Sequence, residues 1–247
     1  MEHIVIVGDS FCQHDQSDSW TRILADKLNM KLESKGTQSG SFWDARDFLK
    51  ISVTDNTNII VIAHTDFNRI PSAEWYGISR ELFSNLSKPE LSALNQAAAN
   101  AKNQYYKHLY VPEFHKWAQK LWFKEFSDVY KKYKLINLHC FPSSWTNRHL
   151  LNGINIGPSL SAISLNEIGA SDMLILGHDR GRLNHFNLKN NAVLADQLYN
   201  LISNFNEGDA YMDISAFDQK TTKWTDEYYD GIACPSLTSN LYGGLNL

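Results

Sequence analysis

The chain has 247 residues, 43% of them apolar, and a formal net charge of -4. That is enough to bury the core of one sizeable α/β domain; there is no Lys/Arg-rich run to bind nucleic acid and no apolar run long enough to span a membrane. The three cysteines, Cys12, Cys140 and Cys234, form an odd, widely spaced set, which argues against a disulfide framework and fits a reducing compartment.

Ile4 to Val7 is an unbroken apolar, β-branched run, the pattern of a strand buried on both faces of a parallel sheet. Met1 leads directly into it, so no secretory leader is expected and the location expected is cytoplasmic. Further strands are expected at Lys31–Ser34, Asn58–His64, Lys134–His139 and Met173–Leu176. Between the first two strands, Trp20, Ile23, Leu24 and Leu28 recur at helical spacing, with Asp18 or Ser19 as N-cap. The stretch SFWDARDFLKI repeats that spacing after the second strand. This β-α-β-α-β pattern predicts parallel strands joined by right-handed crossovers, about five in one sheet.

The segment from Ser72 to Tyr133 is mostly helical and rich in aromatic residues, too long for a minimal crossover, and reads as a helical insertion beside the sheet. Pro142 to Ser171 reads as irregular, with short apolar pieces at INI and SLSAISL. Asn187 to Phe205 reads as a final amphipathic helix. The expected organisation is therefore one domain over 1–205, with the insertion at about 72–133, and a C-terminal extension over 206–247 that is ordered only if it packs on the domain or a partner.

Gly8-Asp9-Ser10 lies where the chain leaves the carboxyl end of the first strand, the edge at which open α/β sheets bind ligands. A serine there is a nucleophile only if a base reaches it. His185, just before the last helix, is the candidate base.

On these residues the chain resembles the SGNH (GDSL-like) hydrolases, a superfamily of esterases, lipases and carbohydrate deacetylases. The likeness runs from Ile4 to about Ile202 but rests on four short stretches. It implies a three-layer α/β/α sandwich with a parallel flavodoxin-like sheet. It implies Ser10 as nucleophile and His185 as base, with the oxyanion held by the backbone N–H groups of Ser10 and Gly40 (Gly36 being the runner-up). At the third element, where the family has Gly-x-Asn-Asp, this chain has Ala63 and Thr65, so Thr65 stands where the oxyanion-binding Asn belongs. At the fourth, Arg182 replaces the Asp three residues before the base, and Asp179 becomes the candidate to orient His185, with Asn184 or a backbone carbonyl as the alternative. Asp66 and Arg69 read as a loop clamp or, with His64, as contacts to substrate.

The implied chemistry is hydrolysis of a small acyl ester, an O-acetylated carbohydrate among the candidates, and it needs no cofactor and no metal. Both departures resemble a divergent branch encoded by tailed phages, which implies a virion location and phage structural partners, or self-association, as the alternative. Two rival readings follow. Asp9, His64, Asp66, His178, Asp179 and His185 are carboxylates and imidazoles suited to a metal-dependent phosphoesterase, although the first strand lacks Asp-x-His. The altered oxyanion and acid positions also fit a binding or structural protein that keeps the fold without the chemistry.

Overall fold

A computed structural model describes residues 1–12, 18–37, 40–69, 97, 100–101, 104–163, 186 and 188–218. Strands β1 (His3–Asp9), β3 (Thr57–His64) and β4 (Lys134–His139) arise from the apolar runs that predict them, and β2 (Lys31–Thr37), a mostly polar KLESKGT also expected as a strand, forms at the edge. Two more follow, β5 (Ile154–Gly157) and β6 (Gly208–Tyr211). All pair in parallel, in the order β2-β1-β3-β4-β5-β6. This is the doubly wound, flavodoxin-like order with one strand added at the far edge. Ile4–Val7 and Ile59–Ile62 are register partners, as the sequence predicts.

Helices α1 (Trp20–Leu28), α2 (Phe42–Ser52), α3 (Pro112–Tyr130) and α4 (Leu188–Ser203) complete the three layers. Alternation along the strands divides the core in two. Ile4, Ile6, Ile59 and Val61 face Trp20 and Leu24 of α1 and Leu194, Leu198 and Ile202 of α4. Val5, Val7, Ile60 and Ile62 face Phe42 and Leu49 of α2 and Trp122, Phe123 and Phe126 of α3. The i, i+4 spacing of Leu194, Leu198 and Ile202 explains how one stripe of α4 meets the sheet. Each such side chain, buried in full, contributes about 1.5–3 kcal/mol. The Asp44 carboxylate fixes the start of α2 by accepting both the N–H and the hydroxyl of Ser41, each at 2.7 Å.

Two differences from the sequence reading concern the far edge of the sheet. The INI piece, expected to be irregular, is β5, where the chain enters through Gly153 at φ +88°. A side chain at that glycine would lie 2.2 Å from the Leu135 carbonyl oxygen. Residues Gly208–Tyr211, expected to belong to the extension, form β6, so that of the six strands described the sequence predicts four. Behind β6, Met212 and Phe217 enter the core shared with α4. Of the helical insertion, α3 packs directly on the sheet. The strand expected at Met173–Leu176 lies outside the described residues. Among the described residues, no helix is long and apolar enough to cross a membrane.

Candidate active site

Parallel strands deliver their following loops to one edge, so the residues after β1, β2, β3 and β4 converge there. Ser10 opens a 3-10 turn, Ser10–Cys12, and is buried, with 4% of its surface exposed. The turn sits tightly against the sheet: a side chain at Gly8 would come within 2.7 Å of Cys12 Sγ and 2.8 Å of Ala63 Cβ.

Asp9 organises this edge. Its Oδ1 accepts the Phe11 N–H at 3.0 Å, closing the turn that carries Ser10, and the Cys140 thiol at 3.2 Å. Its Oδ2 accepts Arg69 Nη1 at 3.0 Å and the Thr65 hydroxyl at 3.4 Å. The side chain of Asp9 is wholly buried and that of Arg69 is 17% exposed. Arg69 Nη1 also donates to the Gly40 carbonyl at 3.3 Å, and its guanidinium lies 4.8 Å above the Phe141 ring. Four loops thus meet at one ion pair.

The β3 loop is held from the α3 side. Gln119 donates to the Thr65 carbonyl at 3.3 Å, and Tyr106 donates to the Asn68 carbonyl at 2.6 Å. Tyr110 donates to the Asn68 side chain. Asp66 accepts the Asn68 N–H at 2.7 Å, and burial raises its carboxyl above the usual range, against that N–H and the Arg69 charge. Among the described residues, the ion partner of Arg69 is Asp9, so Arg69 ties its loop to β1 rather than to Asp66.

Two of the expected oxyanion donors have internal partners. The Gly40 N–H donates to the Thr37 carbonyl at 2.9 Å, and the Thr65 hydroxyl points at Asp9. His185 and Asp179 lie outside the described residues, but the neighbour of His185 does not. Phe186 packs on Phe11 with ring centroids 5.6 Å apart. Its carbonyl accepts from Asn191, whose Oδ1 accepts the Trp20 N–H at 2.9 Å, while the Trp20 indole donates to the Phe11 carbonyl at 2.6 Å.

His64 ends β3 opposite His139, its register partner on β4, with ring centroids 5.5 Å apart. It is 2% exposed, between Phe123 at 4.6 Å and Phe126 at 5.8 Å. Asn137 Nδ2 donates to the carbonyls of Asn152 and Ile154, so its Oδ1 faces His64, whose Nε2 carries the proton. Burial lowers the His64 pKa from 6.5 to about 4, against that hydrogen bond. Burial, then the charges of His64 and Arg148, lower His139 as well.

A histidine whose folded pKa is depressed stabilises the fold fully above its unfolded pKa. That contribution is lost as pH falls, because the unfolded chain takes up a proton near 6.5 while the folded chain resists until about 4. For His64 the loss is on the order of 3 kcal/mol, at about 1.36 kcal/mol per tenfold change in proton affinity. The melting temperature should therefore fall from pH 7.5 to pH 5, with the lowered His139 adding to the fall and the raised carboxyl of Asp66 opposing it. His64→Gln should flatten that slope. A melt independent of pH in this window would show that the imidazole is not buried neutral.

Cys140, Tyr106 and Tyr110 were not singled out from sequence. Cys140 stands just past the end of β4, and that position is the only signal it offers. Burial and the Asp9 charge raise the Cys140 and Cys12 thiols well above their usual range, so both stay protonated. Among the described residues, no three His, Cys, Asp or Glu side chains come together as a metal site.

A comparison with known families and with curated proteins found no match. Among solved structures, the chain is similar to phospholipase A1 from Streptomyces albidoflavus NA297, at 13% identity over 96% of this chain and 98% of that one, with a TM-score of 0.31. A likeness of that size assigns neither fold nor activity.

Proposed function

We propose that the chain is a serine-dependent ester hydrolase of SGNH type acting on a small acyl ester, with O-acetylated carbohydrate as the substrate class. One observation carries the reading: the residues that follow Ser10 and His185 pack ring against ring at the carboxyl edge of the sheet. Trp20 and Asn191 brace the same two stretches of chain.

In this reading Ser10 Oγ bonds to the acyl carbon, the carbonyl pair moves onto oxygen, and the serine proton passes to His185, which Asp179 orients. Collapse of the oxyanion breaks the bond to the alcohol, which leaves with that proton. Water then attacks the acyl-enzyme, gives its proton to His185, and frees the acid while Ser10 recovers its proton. The Ser10 backbone N–H supports the oxyanion. The Gly40 N–H and Thr65 hydroxyl add to it only by leaving Thr37 and Asp9, so turnover should be slow beside an enzyme with all four motifs. Losing one oxyanion donor typically costs about 10²–10³ in rate.

A second reading is a binding protein, a virion component of phage type, that keeps this fold and has lost the chemistry. It is favoured by those internal bonds of Gly40 and Thr65. A fluorophosphonate separates the two, since it reacts only with an activated serine. Incubation should yield one adduct, mapped by mass spectrometry to the peptide containing Ser10. An unmodified chain would favour the binding protein, and an adduct on another serine would move the nucleophile.

A further inference from the structure

We propose that Arg69 supplies the oxyanion donor that Thr65 and Gly40 do not, making it a catalytic residue of the ester hydrolysis proposed above, on which this inference rests. The three positions that would hold the oxyanion are Ser10, Gly40 and Thr65. The Arg69 guanidinium reaches that same space: it touches the Gly40 carbonyl and shares the Oδ2 atom of Asp9, the neighbour of Ser10, with the Thr65 hydroxyl. Both bonds leave from Nη1, and among the described residues Nη2 and Nε have no hydrogen-bond partner.

A guanidinium carries five donors in a fixed plane. Here Asp9, the Gly40 carbonyl and the Phe141 ring set that plane, so the unused donors are preorganised rather than mobile. Preorganised donors stabilise developing negative charge most where water is excluded. Asp9 balances the resting charge of Arg69, so a neutral ester is not penalised on entry. When the carbonyl electrons move onto oxygen, the new anion meets N–H groups whose plane is already fixed by Asp9, Gly40 and Phe141. A serine oxyanion hole missing its Asn amide is thereby refilled from four residues further along the same loop.

An oxyanion donor acts in the transition state and a substrate clamp acts on binding, so the two separate in kinetics. The test uses Arg69→Lys, which keeps the charge beside Asp9 but loses the fork, and Asp9→Asn/Arg69→Gln, which removes both charges together. Thermal melts establish that each is folded, and turnover of neutral 4-nitrophenyl acetate and of an anionic acyl ester is measured. The expected result for Arg69→Lys is a loss of about 10²-fold in kcat with KM within about threefold of the parent. Fluorophosphonate labelling of Ser10 should slow in parallel. The folded double variant should show at least the same loss.

Unchanged kcat in a folded variant overturns the proposal, as does a rise in KM confined to anionic esters, which would make Arg69 a binding clamp. Loss of kcat that tracks unfolding in both variants also overturns it and leaves Arg69 structural. Failure of the hydrolase reading itself looks different, because the parent protein then neither labels nor turns over.

Discussion

Ser10→Ala is expected to lower hydrolysis of a small chromogenic acetate by at least ~10⁴-fold, leaving only the residual catalysis that the oxyanion donors and binding supply. The proposed covalent route needs the hydroxyl, which lies in a turn that leaves 4% of Ser10 exposed. Cys12 is no substitute, since burial and Asp9 keep its thiol protonated. His185→Ala should cost nearly as much, because nucleophile and base act as one unit and their removals do not add. The measurement is initial rate against enzyme concentration, with a thermal melt on the same preparation. Activity that survives Ser10→Ala would place the chemistry elsewhere on the molecule.

The largest loss of stability is expected from Asp9→Ala. Four donors converge on this carboxylate: the Phe11 N–H, the Cys140 thiol, the Thr65 hydroxyl and the Arg69 guanidinium. Removing one partner of a buried ion pair costs about 3–5 kcal/mol, since the other charge is left uncompensated. Arg69 is partly exposed and can turn toward water, which puts the expected loss near the low end, about 3 kcal/mol. For a chain of this length that is a fall of roughly 6–12 °C in melting temperature. Asp9→Asn should cost less, because an amide oxygen still accepts from Phe11 and Thr65. A melt for Asp9→Ala within about 2 °C of the parent would show that the ion pair does not hold the turn.

The inner strands were legible because burial on two faces forces an unbroken Ile/Val run, as in Ile4–Val7 and Ile59–Ile62. The helices were legible from spacing alone. β5 and β6 were not, for opposite reasons. INIG is too short to show a period, and GDAY lies at an exposed edge where nothing selects apolar residues. What defines both is pairing with a neighbour far away in sequence.

The same distinction divides the site. Ser10 is found by its place at the end of a strand. Arg69 reads locally as a partner for Asp66, three residues away, yet it pairs with Asp9, 60 residues away. Sheet order decides that choice, since β3 lies beside β1. The bond from the Gly40 N–H to Thr37 belongs to loop geometry that no residue pattern announces.

Phe11, Trp20, Phe186 and Asn191 have a consequence for synthesis. Their contacts join residues 171 positions apart, so the edge that carries Ser10 is not braced until α4 has been made and has docked. A nascent chain that has completed β1 to β4 owns its sheet centre but not its bracing. Domains commonly fold as they emerge, N-terminal parts first. Here the serine turn waits for the last helix, whose Leu194, Leu198 and Ile202 also cover one face of the sheet, so fragments ending before residue 191 should lack both that cover and the bracing of Ser10.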